Sequence, residues 1–446
     1  MKLKNLSVQY YSGFYKPQKL DFAIPNGKPG SGLTLIMGEN NSGKTSIIDT
    51  LLYLDGQEQE SFKDLLKSFS TKDSTKFTII YKNINGKEYE QTVSYNPLLN
   101  SISVTPKSDK REVNFVMIGG RYSKNNNDDT TLKKQIDKLN EKNLLEECKK
   151  LVKKIFPNCD DFQLYNDEVR LVKNNGLNYK IHLGGSGVKK IILICSTLIL
   201  NKQDILILDE PEQSLHPKML KNLSKVLSEE TKNRQIIVIT HSPYLVNWQD
   251  LLNGASFVRT NISKKCCTIN NLILTKKFQK LICNNIYGVK GYLLFSLKAS
   301  ELFFYDNVLL VEGQEDFSLL QNWLNAVYND QPFEIFGYGV GGVDNIPTFL
   351  EITRNLGFGR VAVLTDNIED LTHEKGIKEW EIQHQDWSKD QTRYLRLSLK
   401  TKDIRDKPAE GITGYFDINW KIKEEYEPHL KAIFDRLSLF FNQERT

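Results

Sequence analysis

One short segment, Gly38–Thr45, restricts the possible folds of this chain more than any other feature. Its sequence, Gly-Glu-Asn-Asn-Ser-Gly-Lys-Thr, fits the spacing G-x-x-x-x-G-K-[ST] at every fixed position. The apolar run Leu33–Met37 precedes it, and helical spacing of apolar residues follows over 44–54. A strand, a glycine-rich loop and a helix in this order form the context in which the motif binds phosphate groups. The segment therefore predicts a P-loop in an α/β domain.

The parts of the predicted P-loop have separate chemical roles. Its glycines allow backbone N–H groups to close around phosphates at the start of a helix. Lys44 supplies a positive charge, and Thr45 supplies a hydroxyl ligand for Mg²⁺. We therefore expect ATP with Mg²⁺ as the cofactors. The expected nucleotide-binding residues of this segment are Gly38, Asn40, Asn41, Ser42, Gly43, Lys44, Thr45 and Ser46.

Two further strand ends carry side chains that suit the same chemistry. The apolar run Asp204–Leu208 is followed by Asp209 and Glu210. Asp209 is expected to hold Mg²⁺ or its water shell, and Glu210 to polarise the attacking water as a general base. His241 comes soon after the next apolar run, Ile236–Ile239, and is expected to sense the γ-phosphate.

A glycine-serine turn precedes this pair of strands. Ser186 and Gly187 stand before a predicted helix over 188–200. Backbone amides and the helix dipole at such a turn make a site for anions. The signal is weak by itself, and it gains weight from the Asp-Glu strand that follows it.

Together these motifs resemble the ATP-binding-cassette ATPases of the structural-maintenance-of-chromosomes and RecF type. On this resemblance, Lys44 and Thr45 match Walker A, Asp209 and Glu210 match Walker B, and His241 matches the switch histidine. The turn at Ser186-Gly187 matches the core of an altered signature motif. In the family the signature of one subunit completes the ATP site of another, which implies a homodimer or a higher homo-oligomer. The long coiled-coil arms of the family have at most one counterpart here, a charged helix predicted over 132–155.

A second α/β pattern follows the first one. The run Val308–Val311 ends in Glu312 and Gly313, and the run Val361–Leu364 is followed closely by Asp366. Parallel strands would place Glu312 and Asp366 side by side at the carboxyl edge of one sheet, where α/β folds bind ligands. Carboxylate oxygens suit Mg²⁺. The pattern therefore predicts a second metal site.

This second pattern resembles the Toprim fold of topoisomerases, primases and a class of nucleases. The Toprim motifs are a strand-end Glu-Gly and a later Asp-x-Asp, which Glu312, Gly313 and Asp366 match. Ile368 occupies the position of the second acid, and Asp370 lies two residues further on. The resemblance implies that Glu312 and Asp366 are catalytic metal ligands, with Asp370 as the candidate substitute ligand and with Mg²⁺ or Mn²⁺ as the ion.

A cassette ATPase followed by a Toprim domain is the arrangement of the OLD (overcoming lysogenisation defect) family, which the chain resembles over about 1–370. The resemblance implies an ABC-type ATPase domain over 1–300, with a helical insert at about 120–156, and a Toprim-like domain with a helical tail over 301–446. It implies a metal-dependent DNA endonuclease in bacterial antiphage defence, like the Gabija nuclease subunit and retron-associated effectors. A defence partner protein or retron RNA/DNA are the further partners it suggests.

Two other functions remain open at this point. The chain could be a regulatory ATPase whose degenerate Toprim domain works through a partner protein, and Ile368 favours this alternative. It could also be a RecF-like DNA-repair ATPase without cleavage. The strand that ends at Glu312, with its partner Asp366, argues against the repair alternative.

Charge and hydropathy exclude some classes of protein. The chain has 60 Lys and Arg against 55 Asp and Glu, a formal net charge of +5, which is too slight for a protein that binds nucleic acid through overall charge. Lysine pairs such as Lys189-Lys190 could contact phosphates, although a solvated helix face is the favoured interpretation. Since no apolar run of ~18 residues is present and the first residues are too polar for a signal peptide, we expect a cytoplasmic protein without a membrane span.

Overall fold

The structure is a computed structural model, which describes residues 2–9, 13–55, 75–82, 88–96, 101–105, 115–119, 129–166, 168–173, 175–202, 205–263, 266–286, 288, 291, 294–327, 332–365, 374–398, 423–424 and 427–443. The chain divides into two compact units, Met1–Asn271 and Leu272–Thr446. The domain boundary after residue 300 stays a prediction. None of the helices in the described ranges combines the length and the hydrophobicity needed to cross a membrane.

The described residues of the first unit form three sheets and the helices that follow the predicted ATPase motifs. Its strands are β1 Lys2–Gln9, β2 Gln18–Asp21, β3 Leu33–Gly38, β4 Thr75–Lys82, β5 Glu88–Asn96, β6 Ser101–Thr105, β7 Phe115–Ile118, β8 Asp161–Tyr165, β9 Glu168–Val172, β10 Asn178–Lys180, β11 Ile205–Asp209, β12 Ile236–Ile239, β13 Ser256–Ser263 and β14 Cys266–Asn271. Its helices are α1 Lys44–Asp55, α2 Asp129–Glu141, α3 Leu145–Ile155, α4 Ser186–Leu200, α5 Pro217–Glu230 and α6 Trp248–Asn253.

The central sheet of this unit carries the predicted motifs. Its strand order is β14-β13-β3-β12-β11-β7. All neighbouring strands from β13 to β7 are parallel, and β14 is antiparallel to β13. Every residue of β3, β11 and β12 is buried, which explains their continuous apolar runs because both faces of a parallel sheet are covered. The carboxyl ends of β3, β12 and β11 therefore meet at one edge.

An antiparallel sheet with the order β2-β1-β4-β5-β6 packs near the central sheet, and β8 to β10 form a small third sheet. One core cluster joins Leu6 of β1, Ile47 of α1, Ile36 of β3 and Ile239 of β12. The sequence Asn85-Gly86 is typical of a hairpin turn, and β4 and β5 on either side of it are antiparallel neighbours. The turn residues themselves lie outside the described residues.

The predicted single helix over 132–155 is wrong, because the structure has two helices there. Helix α2 ends at Glu141, and α3 begins at Leu145. Between them Asn143 has a φ of 56°, a left-handed conformation that asparagine tolerates better than most residues and that a helix cannot contain. Both helices pack on α4, so each buries its own apolar face separately.

The second unit is built on one small parallel sheet. Its strands are β15 Asn307–Val311, β16 Glu334–Ile335, β17 Arg360–Thr365 and β18 Tyr394–Ser398. Its helices are α7 Lys276–Asn285, α8 Leu297–Ser300, α9 Gln314–Val327, α10 Ile346–Asn355, α11 Lys375–Gln383, α12 Gln385–Ser388 and α13 Glu427–Asn442. The strand order is β16-β15-β17-β18, with every neighbouring pair parallel.

Helices cover both faces of this sheet. Leu320 of α9 and Phe434 of α13 share a buried core cluster with Val311 of β15 and Leu364 of β17, while α10 contacts β15 and β17. The predicted helical tail contains α13, an amphipathic helix whose buried residues include Leu430, Ile433, Phe434, Leu437, Phe440 and Phe441. The strand ends that carry the predicted metal ligands therefore belong to a covered α/β sheet.

Candidate functional site

The P-loop connects β3 to α1 through backbone that only glycine suits at two points. Gly38 has a φ of 144° and Gly43 has a φ of 94°. A Cβ atom on Gly38 would lie 2.1 Å from the Thr260 carbonyl oxygen, and one on Gly43 would lie 2.6 Å from the Phe14 ring. Both glycines therefore combine an unusual φ with a close approach to neighbouring atoms.

We expect Gly43→Ala to destabilise the protein more than Gly27→Ala. Gly27 has nearly the same φ, 89°, but a Cβ there would meet nothing within 4 Å. Both variants should lose about 1–2 kcal/mol through the left-handed backbone. Gly43→Ala should lose about 1–3 kcal/mol more through overpacking against Phe14. Urea unfolding of the full chain measures the difference, and an equal loss in the two variants would contradict the packing argument.

The Lys44 side chain is buried within the loop. Its Nζ donates to the Gly38 carbonyl oxygen at 2.9 Å and to the Glu39 carbonyl oxygen. Burial lowers the pKa of Lys44 to about 8, against the opposing effect of the Glu210 and Asp209 carboxylates, which raise it. The end of the Asp-Glu strand is therefore close enough to the P-loop for its carboxylates to act on Lys44.

The other loop residues divide into an exposed tip and a buried base. Asn40 and Asn41 are exposed, Ser42 and Ser46 are buried, and Thr45 is partly buried in the first turn of α1. Ser42 Oγ lies 2.6 Å from Thr260 Oγ1 of β13. The base of the loop is therefore supported by the neighbouring strand, while its tip faces outward.

Asp209 and Glu210 lie at the carboxyl end of β11. Asp209 is the last residue of the strand, and Glu210 has a φ of 47°, a conformation that costs a non-glycine residue energy and is common at functional sites. The Glu210 N–H donates to the Ile239 carbonyl oxygen at 2.9 Å, and Lys190 Nζ donates to the Glu210 carbonyl oxygen at 2.7 Å. Two neighbouring elements therefore hold the strained turn.

His241 faces the Glu210 carboxylate. Its Nε2 lies 3.7 Å from Glu210 Oε1. Burial and the charge of Lys44 lower the pKa of His241, while Glu210 opposes the shift. The structure therefore brings Lys44, Asp209, Glu210 and His241 together at one edge of the sheet, where the sequence placed them.

The acidic side of this site fits a divalent cation. Burial raises the pKa of Asp209 to about 6, and the charges of Glu210 and Glu212 add to the shift. A dication would relieve this repulsion, and the Asp209 carboxylate and the Thr45 hydroxyl are the hard oxygen ligands that Mg²⁺ takes. Among the described residues no group of three or more His, Cys, Asp and Glu could hold a metal by itself.

The signature residues begin α4. Ser186 is the first residue of the helix, and Gly185 before it has a φ of 89°. A Cβ atom on Gly187 would lie 2.5 Å from the Ser214 carbonyl oxygen. Gly187 is therefore needed for packing against the loop that follows Glu210 in the same chain. The role of Ser186 and Gly187 toward the nucleotide of another subunit stays a prediction.

The sequence interpretation missed two residues of this candidate site. Lys190 was expected on a solvated helix face, but its side chain is only partly exposed and its ammonium group donates to the Glu210 carbonyl oxygen. Glu212 was not identified, yet its carboxylate accepts hydrogen bonds from Thr240 Oγ1 at 2.8 Å and from the His241 N–H at 2.5 Å. The presence of a third acid so close to Asp209 and Glu210 was the available signal.

In the second unit, Glu312 directly follows β15. Val311 pairs with Leu364 of β17, so Glu312 is level with Thr365, the residue before Asp366. Asp366, Ile368 and Asp370 lie outside the described residues, so the predicted metal site stays a prediction.

The glycine-rich loop 337–342 supports the backbone at the end of β15. The Gly342 N–H donates to the Glu312 carbonyl oxygen at 2.8 Å, and the Gly313 N–H donates to Asp316 Oδ2 at 2.9 Å. A Cβ atom on Gly339, which has a φ of 90°, would lie 2.6 Å from the Gly313 carbonyl oxygen. The loop therefore packs directly on Glu312 and Gly313, a role that the sequence did not indicate.

Comparisons with known families agree with this two-part organisation. Residues 104–247 match the family described as AAA domain, putative AbiEii toxin, Type IV TA system. Residues 303–367 match the family described as overcoming lysogenization defect protein-like, TOPRIM domain. The chain pairs an AAA domain with an OLD-like Toprim domain. The resemblance to the OLD family and the predicted α/β fold class are confirmed. The first match begins after the P-loop, whose assignment rests on its motif and geometry.

Several curated proteins are similar to parts of this ATPase–Toprim chain. It is 27% identical over 224 residues to an endonuclease GajA of Bacillus cereus, covering 48% of this chain and 36% of that protein. A second Bacillus cereus endonuclease GajA is 26% identical over 143 residues, covering 28% of this chain and 21% of that protein. An uncharacterised protein of Methanocaldococcus jannaschii is 30% identical over 128 residues, covering 28% and 15%. The chain thus spans well under two thirds of the length of these relatives.

Solved structures also show partial similarity. The SMC head domain from Thermotoga maritima has a TM-score of 0.42 and 17% identity, covering 60% of this chain and 98% of that one. The SmcHead bound to the C-winged helix domain of ScpA has a TM-score of 0.48 and 15% identity, covering 63% and 100%. The fold class rests on the sheet topology and the family matches rather than on these similarities.

Proposed function

We propose that this protein is an ATP-hydrolysing, divalent-metal-dependent DNA endonuclease. The observation that carries the proposal is the convergence of Lys44, Asp209, Glu210 and His241 at the edge of one parallel sheet, in a chain that also has an OLD-like Toprim domain. The two domains suggest two chemical steps, ATP hydrolysis in the first unit and cleavage of a phosphodiester bond in the second.

The residues of the first unit suit hydrolysis of the γ-phosphate. Backbone N–H groups of the P-loop and the Lys44 ammonium group bind and orient the phosphates. Thr45 and Asp209 would hold Mg²⁺, which when bound neutralises phosphate charge. Glu210 accepts a proton from the attacking water. His241 faces Glu210 from the loop after β12, where it can contact the γ-phosphate.

The nuclease proposal rests on the second unit. Glu312 lies at the carboxyl edge of the parallel sheet, level with the strand end before Asp366, and two relatives are named as endonucleases. We propose Glu312 and Asp366 as metal ligands, with Asp370 as a further ligand and Mg²⁺ or Mn²⁺ as the ion. A bound dication would stabilise charge on the attacking or leaving oxygen of the DNA phosphate.

The partners of the protein form part of the same proposal. Because one chain holds one set of ATPase motifs, we propose a homodimer or higher homo-oligomer in which Ser186 and Gly187 of one subunit complete the ATP site of another. The OLD resemblance supports a role in bacterial antiphage defence in the cytoplasm, with DNA as substrate and with a defence partner protein or retron RNA/DNA as a further partner.

A plasmid assay tests this function. We expect the purified chain to nick or linearise supercoiled plasmid when Mg²⁺ or Mn²⁺ is present. Cleavage should stop when EDTA removes the metal, and the rate of cleavage should change when ATP is added. If ATP is hydrolysed while plasmid stays intact under every metal condition, the regulatory ATPase with a degenerate Toprim domain replaces the nuclease, as Ile368 would favour. If ATP is not hydrolysed either, the whole proposal fails.

A further inference from the structure

A third carboxylate links the two strand ends of the ATPase site. Glu212 lies on the turn after β11, and its oxygens accept from the loop after β12. Oε2 accepts from Thr240 Oγ1 at 2.8 Å, and Oε1 accepts from the His241 N–H at 2.5 Å. Because both oxygens are used, the side chain acts as a two-point bridge between the turn and the loop.

The bridge belongs to a short network around His241. Thr240 Oγ1, which donates to Glu212, also accepts from the Ser242 N–H at 2.9 Å. On the strand side, the Glu210 N–H donates to the Ile239 carbonyl oxygen at 2.9 Å. The loop is therefore tied to the turn at three points, namely the Ile239 carbonyl oxygen, the Thr240 hydroxyl and the His241 N–H. The Glu212 carboxylate makes the last two of these ties.

We propose that Glu212 is a positioning residue for ATP hydrolysis, which holds the backbone of His241 so that the imidazole stays opposite the Glu210 carboxylate. This inference rests on the proposed ATPase function. Glu212 acts through His241 and needs no contact with the nucleotide.

The burial and the hydrogen bonds of the Glu212 carboxylate support a specific role for this side chain. Burial raises the pKa of Glu212, and the hydrogen bonds from the His241 N–H and the Thr240 hydroxyl act against that shift. Burial of an acid beside two other acids is unfavourable unless its oxygens are well satisfied. The hydrogen bonds from the loop after β12 satisfy both oxygens. The carboxylate therefore stabilises the position of the loop, and the loop stabilises the buried carboxylate.

A double-mutant cycle separates positioning from general stabilisation. Removing the bridge in Glu212→Ala should lower kcat for ATP by about 10- to 100-fold, since small misplacement of a catalytic group has effects of this size. The Kd of a fluorescent ATP analogue should change little, because the P-loop is untouched. In a His241→Ala background the same change should cost less than about 3-fold, because the residue it acts through is gone.

The conservative variant provides the matched control. In Glu212→Gln the amide oxygen can accept from the His241 N–H while the amide N–H donates to Thr240 Oγ1, so most of the lost rate should return. If Glu212→Ala fails to fold, Thr240→Val can replace it, because this change removes one of the two hydrogen bonds to Glu212. Its effect on kcat is then compared with and without His241→Ala.

Two results would overturn the inference. The first is that Glu212→Ala lowers kcat for ATP by the same factor in the wild-type and the His241→Ala backgrounds. The second is that kcat of Glu212→Gln is as low as that of Glu212→Ala. Failure of the ATPase proposal can be told apart from failure of this inference. In that case wild type and Lys44→Ala would hydrolyse ATP at the same rate, with any residue at position 212.

Discussion

Lys44→Ala should lower ATP hydrolysis by at least about 100-fold, because loss of one preorganised charged donor at the transferring phosphoryl group has effects of this size. The Lys44 ammonium group is buried in the P-loop, where water cannot replace its charge. Phosphate release at saturating ATP measures the loss. Lys28→Ala is the matched control, because it removes an exposed lysine in the same unit and should keep the wild-type rate.

Glu210→Gln should separate ATP binding from hydrolysis. The glutamine keeps the size of the side chain but cannot accept the proton of the attacking water. We therefore expect tight binding of ATP without turnover, and sedimentation at a larger mass with ATP if the nucleotide is shared between subunits. Wild-type hydrolysis in both Lys44→Ala and Glu210→Gln would show that the ATPase site is assigned wrongly. A monomer in every nucleotide state would contradict the shared site alone.

The strands of the ATPase site could be predicted from sequence because their patterns are local. Strands β3, β11 and β12 are buried along their whole length, so each appears in the sequence as a continuous apolar run. The polar residues that follow such runs must lie at the carboxyl edge of the sheet. Asp209, Glu210 and His241 were therefore found from strand ends, whereas Lys44 was found from the spacing of the glycine-rich loop after β3.

The residues that sequence analysis missed depend on packing between distant segments. Lys190 contacts the Glu210 carbonyl oxygen because α4 lies against the Glu210 turn, and the Glu212 carboxylate is hydrogen-bonded because the loop after β12 lies beside it. Neither neighbour is close in sequence. The break between α2 and α3 was missed for a related reason, since Asn143 interrupts a helix only where both halves pack separately on α4.

Glu312→Ala should lower the rate of metal-dependent DNA cleavage by at least about 100-fold. The reason is that Glu312 is proposed to hold the cation that stabilises the phosphodiester transition state. Glu315→Ala is the matched control, because it removes an exposed carboxylate from the first turn of the adjacent helix α9. Both proteins should hydrolyse ATP at the wild-type rate, because Lys44 and Asp209 lie in the other compact unit. The measurement is plasmid nicking over a series of Mn²⁺ and Mg²⁺ concentrations.

The dependence on metal concentration distinguishes loss of a ligand from loss of structure. A variant that lacks one carboxylate ligand but is folded should regain part of its cleavage at high Mn²⁺, since binding is weakened while the remaining ligands persist. A misfolded variant should regain none, and its melting temperature should fall below that of Glu315→Ala. If Glu312→Ala cleaves plasmid as wild type does at every metal concentration, the strand end at Glu312 is not the nuclease site. Cleavage would then have to be assigned to other residues, and the Toprim domain of this chain would have a regulatory role.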